Sequence, residues 1–567
     1  MQIGVRRLSL SGNGSNAKRQ RCGRVWMVSC LALFCVLQFT AGLLSAAPPA
    51  VTALFPAGGQ QGTELKVTLQ GTVNTEELKL WSNLPGLELV GPDGKDAIKV
   101  KLAADAPRGR RWLRFYSAEG ASAPRSFAVD RLPELQEVEP NDRDDKAQAV
   151  AQLPVIINGS LNKGGKLDAY SVALTAGQTL VARLAARQEF GSPMDGVLQI
   201  ADSRGFVLLQ NDDDDGFDPR LVFKAPHDGT YVVRVFAFPA QPDTSIRFSG
   251  AAGYVYRLLL TNGPLIEHLL PAAVSGLDAT TVRGEGVNLP ADLAPLPIAA
   301  GPPGLEKIDW AGGPTTAVIL RAGVPVVTEV EPNSLQQAPA LMSGPVCVTG
   351  TIANDGDRDA WKFTSTKGRG WQVRGIATAL HSPLDLVVRI YDAKGGMQFE
   401  FDDAPRDEDD LVATFNTPAD GEYILVVMDR YDLGTPQSKY AVFLSEPAAD
   451  CRLTLAADQA TVKQNEMVEV VVNIDRRNGF AQPLEIAIEG LPEGCTAEVA
   501  KSEPKGDSSK SVKLQIKSTR EEGWSGPLKI VGRSTGEPKL ERVAAFVLEP
   551  VGDRLDAFWL TVVGKPK

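Results

Sequence analysis

Hydrophobic and polar residues alternate with a period of two in short runs along most of this chain. DGTYVVRVF (228–236), DGEYILVVM (420–428) and SPLDLVVRIYD (382–392) show it most clearly. Successive side chains of an extended strand face opposite sides, so such runs predict strands with one buried face. They recur roughly every ten residues between Gly/Asp/Pro turns, the spacing of an antiparallel sandwich. Long amphipathic helical stretches are lacking. The predicted fold class is all-β: tandem β-sandwich domains.

The first fifty residues break the pattern. Arg6, Arg7, Lys18, Arg19, Arg21 and Arg24 precede an apolar run from Val25 to Leu44, then Ser45-Ala46-Ala47-Pro48. This is the layout of a secretory signal peptide over 1–47. The apolar run is also long enough for an uncleaved membrane anchor. Export with cleavage is the favoured reading, leaving no membrane span afterwards. The expected location is periplasmic, cell-surface or extracellular.

The remainder repeats itself. EVEPND (137–142) returns as EVEPNS (329–334), and the match continues. PVIING (154–159) lies over PVCVTG (345–350), and Asp168-Ala169-Tyr170 over Asp359-Ala360-Trp361. SPMDGVLQIADSRG (192–205) lies over SPLDLVVRIYDAKG (382–395) without a gap. Each copy ends in a strand carrying a tyrosine, Tyr256 or Tyr440. With 567 residues, several cores are expected. The predicted order is 48–131, 132–263 (first repeat), 264–326 (short module or linker), 327–446 (second repeat) and 447–567.

These repeats resemble the bacterial pre-peptidase C-terminal domain family. The resemblance rests on the EVEPN entry, the DAY/DAW step, the SPxD strand pair, the acidic DD loop and the DGxYxVxV strand. It implies jelly-roll-like sandwiches of the kind that accompany exported proteases. VTALFPAGGQQGTELKVTLQG (51–71) and IEHLLPAAVSGLDATTVRGEG (266–286) resemble immunoglobulin-like TIG/IPT modules. Residues 468–500 resemble bacterial immunoglobulin-like repeats, with an Arg-x-x-Gly-Phe turn before a strand.

Charge and chemistry narrow the function. The net charge of −10 argues against a nucleic-acid partner. His227, His268 and His381 are the whole histidine inventory, without HExxH or GxSxG. Outside the first 47 residues only Cys347, Cys451 and Cys495 remain, with no CxxC. Cys347 reads as a buried thiol, and Cys451 with Cys495 as a candidate pair. Trp81, Trp112, Trp310, Trp361 and Trp371 are candidates for an aromatic contact surface, the last two sitting at strand positions that favour the core.

The acidic entries carry two readings. Glu137, Glu139 and Asn141 alternate along an extended segment, with Asp142 around the turn. Glu329, Glu331 and Asn333 repeat the pattern. Hard oxygen donors of this kind suit calcium. In the collagen-binding domains of clostridial collagenases, which resemble the family, the corresponding segment holds calcium. By that resemblance Asp168 in the first repeat, and Asp355, Asp357 and Asp359 in the second, are further candidate ligands. Lys163 and Lys166 oppose a cation in the first. The bland reading is a solvated turn at the start of a strand. The later acidic loops, 211–220 and 401–410, read as solvated hairpins with a weak cation site behind them. The sum is an exported, non-enzymatic protein binding an extracellular polymer or protein partner. The alternatives are an accessory or targeting component of a secreted protease system and, weaker, an unrecognised hydrolase.

Overall fold

The computed structural model describes residues 47–214, 216–239, 247–310, 313–340, 344–404 and 409–565. Residues 1–46 of the expected signal segment lie outside the described residues. Among them no helix is long and apolar enough to cross a membrane. The chain is nearly all strand, arranged as a succession of two-sheet sandwiches.

The two repeats share one strand order. In the first, Asp168–Leu174, Gly229–Pro239, Met194–Ala201 and Val207–Asn211 lie side by side; in the second, Asp359–Ser365, Gly421–Asp429, Leu386–Asp392 and Met397–Phe401 do. The facing sheets run Arg220–Lys224, Thr179–Ala185, Val255–Thr261, Val155–Ser160, Glu134–Gln136, and Leu411–Asn416, Gly370–Ile376, Lys439–Ser445, Val346–Thr351, Val326–Thr328. The alternating residues of both sheets interdigitate. Ile157, Tyr170, Val233 and Leu258 fill one core; Val348, Trp361, Leu425 and Val442 fill the other. Cys347 is fully buried, and burial pushes its thiol up to about 12, leaving it an inert core group.

Residues 264–326 form two three-stranded sheets around a small core of Ile266, Val282, Ile298 and Ile319. In the C-terminal sandwich Asn478 and Gly479 take left-handed conformations, and the Arg476 guanidinium lies 5.2 Å from the Phe480 ring. Cys451 and Cys495 are free thiols. Their strands, Asp450–Leu455 and Cys495–Ala497, lie at opposite edges of a four-stranded sheet. Three strand spacings of ~4.8 Å separate them, beyond disulfide reach. The candidate pair is therefore excluded.

One strand ties the ends of the chain together. Gly109–Tyr116 alternates its side chains: Leu113 and Phe115 enter the N-terminal core, while Arg110, Trp112, Arg114 and Tyr116 face away. The C-terminal sandwich covers that second face. Trp112 Nε1 and Arg110 Nη2 both reach Asp553, at 2.9 and 2.5 Å. Fully buried Arg114 donates to Asp458 at 2.8 Å and lies over Trp559, which Tyr116 meets at 4.9 Å. Trp361 and Trp371 are core, as their strand positions favoured, and the expected aromatic surface is corrected at Trp112, which is buried in this interface.

Candidate metal centre

Each EVEPN segment laces the two sheets of its sandwich together. Glu134–Gln136 pairs in parallel with Val155–Ser160, and Glu137 N–H continues to Asn158 O at 2.9 Å. Four residues later Asn141 O accepts from Ala169 N–H, in the other sheet, at 2.8 Å. The second repeat has the same bonds, Glu329 N–H to Thr349 O at 3.0 Å and Ala360 N–H to Asn333 O at 2.9 Å. Both Glu-Pro bonds are cis.

This crossing delivers carboxylates to the gap between sheets. Glu329 accepts from Thr351 N–H at 2.9 Å, and Glu137 from Ser160 N–H at 2.8 Å. Asp359 and Asp168 open the facing strands. Tyr440 donates to Asp359 at 2.6 Å, and Tyr256 to Asp168 at 2.6 Å. The glycines ending PVIING and PVCVTG make room. Gly159 is in register with Tyr256 and Gly350 with Tyr440. A Cβ on Gly159 would overlap the Tyr256 ring, and one on Gly350 would overlap the Glu329 carboxylate and the Tyr440 hydroxyl.

In the second repeat, carboxylate oxygens of Glu329, Glu331 and Asp359 all lie within 4.8 Å of one another, the one such trio among the described residues. Asn333 is 1 % exposed, and neither its amide oxygen nor its nitrogen has a partner; Asp359 Oδ1 is likewise unpaired. Buried polar atoms are rarely left so. Burial, then the hydrogen bond and charge of Glu329, hold Asp359 well above the ordinary carboxylate range, and burial raises Glu329. A divalent cation would reverse this by favouring both charged forms. The residues fit such an ion. Three hard carboxylates and an amide oxygen, without nitrogen or sulfur ligands, form a calcium-type donor set.

The other candidates of this repeat do different work. Asp355 accepts from Gly434 N–H at 3.1 Å. Asp357 accepts from Ala353 and Arg358 N–H at 2.8 and 2.9 Å. Both shape the loop, although the Asp357 charge is felt by Glu329 and Asp359.

The first repeat differs. Burial first, then mutual repulsion, raises Glu137, and burial raises Asp168, whose carboxyls hydrogen-bond each other. Lys166 pairs with Asp142 at 3.1 Å and places its positive charge near Glu139 and Asp168. Asn141 is fully buried near the Tyr170 hydroxyl, which bonds Tyr256 at 2.6 Å. Its amide oxygen and nitrogen lack a hydrogen-bond partner as those of Asn333 do, so the trio of carboxylates and not the asparagine separates the repeats. In the second repeat Trp361 stands in place of Tyr170, and its indole N–H has no partner.

The tyrosines are the site residues that the acidic pattern does not announce. Their only signal is recurrence at matched positions. The later acidic loops also hold more than solvated turns. Asp218 is buried and accepts from Ala186, Arg187 and Gln188 N–H, and Asp410 accepts from Ala377 and Thr378 N–H. Each anchors the short turn before its SPxD strand.

Residues 167–237 match the bacterial pre-peptidase C-terminal domain family. A probable subtilase-type serine protease of Deinococcus radiodurans is 34% identical over 113 residues, 19% of this chain and 15% of that protein. This chain thus spans a small part of that relative's length. Among solved structures, fibronectin(III)-like modules from Clostridium thermocellum align at 12% identity over 32% of this chain and 80% of theirs, with a TM-score of 0.12. An M60 catalytic domain with two CBM51 domains from Clostridium perfringens aligns at 10% identity over 70% of this chain and 55% of that one, with a TM-score of 0.14.

Proposed function

We propose that this protein is an exported, non-enzymatic β-sandwich scaffold that binds an extracellular polymer or protein partner and is braced by calcium in its second repeat. The observation that carries the reading is the Glu329–Glu331–Asp359 trio with the unpartnered Asn333. Clustered carboxylates that repel one another are retained where an ion joins them, and here that ion would clamp one sheet to the other. The family match at 167–237 and the stretch shared with a subtilase-type protease support export. In this reading 1–47 is the signal peptide, the second repeat belongs to the same family as the first, and the 48–131, 264–326 and 447–567 units are immunoglobulin-like.

The test is thermal unfolding of the purified protein with calcium and with chelator. Calcium should raise one transition, and Asp359→Asn should remove the rise. Equal melts in both conditions would leave EVEPN as a sheet-crossing segment only. Turnover of casein or ester substrates, abolished by a single substitution, would restore the hydrolase alternative.

A second reading rests on the 34% identity to a probable subtilase-type protease. There the protein is an accessory or targeting component of a secreted protease system. Cross-linking in the exported fraction separates the two: a peptidase as the main adduct supports the second.

A further inference from the structure

The C-terminal sandwich buries Trp112 and Arg114 on the outward face of Gly109–Tyr116, but leaves the neighbouring Lys79–Ser82 half-exposed. Trp81, in register with Arg114, is the residue at that margin. It meets Trp559 edge-on, with ring centroids 5.9 Å apart and planes at 64°, and remains half-buried. Beside it a groove of 410 Å³ opens between the two sandwiches, with Trp81 as one wall and buried Leu528 on the floor. That volume is in the usual range of small-ligand sites, which favour domain interfaces.

Four polar groups at its rim have no protein partner among the described residues. Asn83 accepts from Trp112 N–H at 2.8 Å, which orients the side chain and leaves its NH₂ without a partner. The Trp81 indole N–H, the Lys529 ammonium and the Asp556 carboxylate have no hydrogen-bond or ion-pair partner among the described residues. Glu489 is held by Arg533 at 2.6 Å. The rim thus offers three kinds of donor and two carboxylates beside an aromatic wall. Glu489, Lys529 and Asp556 give the rim a net charge of about −1, because the Arg533 that holds Glu489 is shared with Glu541.

A pyranose ring has complementary chemistry. Its axial C–H groups form an apolar face suited to the negative face of an indole, and its hydroxyls donate and accept at once. A uronate or phosphate would meet an excess of carboxylate at this rim. We propose that this groove binds a neutral hexose oligosaccharide, with one ring stacked on Trp81 and its hydroxyls bonded to Asn83, Lys529 and Asp556. The contacts between Trp81 and Trp559 and between Arg114 and Asp458 preorganise both walls, which lowers the cost of binding.

Calorimetry on the full chain with cellohexaose, xylohexaose, maltohexaose and N-acetylchitohexaose tests this. At least one should bind with Kd on the order of a millimolar or tighter. Trp81→Ala should weaken it about tenfold or more. Because Trp81→Ala also removes the Trp559 contact, Asp556→Ala, at an exposed and unpartnered side chain, is the second variant. It should weaken binding several-fold without moving the melting temperature. The groove excludes the acidic segments, so binding should persist in chelator, which separates this inference from the calcium reading. No binding by any of the four sugars, or binding that survives both substitutions, overturns the proposal. So does preference for an extended peptide along Lys79–Ser82 over all four.

Discussion

Tyr440 donates its hydroxyl to Asp359 across the interior of the second repeat, and Tyr256 does the same to Asp168 in the first, both at 2.6 Å. Each pair joins the last strand of its repeat to the residue that opens the Asp-Ala strand of the facing sheet. Tyr440→Phe keeps the ring and removes the donor. A hydrogen bond to a charged group contributes about 1.5–3 kcal/mol, and that loss is the expected cost in calcium, where Asp359 is ionised. Denaturant unfolding of the variant and parent measures it.

Calcium should stabilise the second repeat more than the first. Binding to the folded form alone contributes RT ln(1 + [L]/Kd), about 2.7 kcal/mol at a hundredfold excess over Kd. Glu331→Gln and Asp359→Asn should abolish the calcium-dependent rise in melting temperature. Glu139→Gln should leave it, because Lys166 already supplies positive charge to that cluster. A rise lost equally in all three variants would place the ion elsewhere.

Without calcium, stability should fall as pH rises. Asp359 is pushed up to about 9 in the fold, mainly by burial. Its ordinary value is about 4. The fold therefore favours the protonated form, and that contribution is complete below pH ~4 and lost as pH climbs through the folded value. Metal-free melting temperatures should decline between pH ~5 and ~9, and calcium should flatten the decline. Binding at neutral pH should release protons, detected as a dependence of binding heat on the buffer's ionisation enthalpy.

Gly350→Ala should destabilise by roughly 1–3 kcal/mol, as overpacking of a filled site does. The added methyl would displace the Glu329 carboxylate and the Tyr440 hydroxyl together. The calcium response should therefore weaken along with the fold. A calorimetric scan with and without calcium reads both effects, and an unchanged calcium response would separate Gly350 from the site.

Arg114→Ala should loosen the two ends of the chain. It leaves Asp458 without its partner in a contact that is buried on the arginine side. Breaking such a pair costs about 3–5 kcal/mol. Limited proteolysis should then release the N-terminal sandwich while the repeats stay folded. Wild-type fragment patterns would mean that the Trp112–Asp553 contact suffices.

Period-two alternation, turn residues and the doubled motifs determine the all-β class and the strands of both repeats. Those signals are local: a strand's buried face is written in every second residue, and a turn in its glycine. The candidate ligands Glu329, Glu331, Asn333 and Asp359 were legible for the same reason, as oxygen donors recurring at matched places. Which of them meet was not legible. Asp355 and Asp357 have the right chemistry, but backbone N–H groups claim them. Tyr256 and Tyr440 reach the acids only because the packing of one sheet on the other brings residues some eighty positions away beside them. Gly159 and Gly350 look like strand ends, and the register across the sheet turns them into clearance for a tyrosine. Nothing in the local sequence marks what the outward Arg110, Trp112, Arg114 and Tyr116 meet. Only packing by a sandwich more than three hundred residues later makes that face an interface. Alternation reports that a strand has two faces; what covers the second depends on contacts between segments distant in sequence, and no local pattern encodes those.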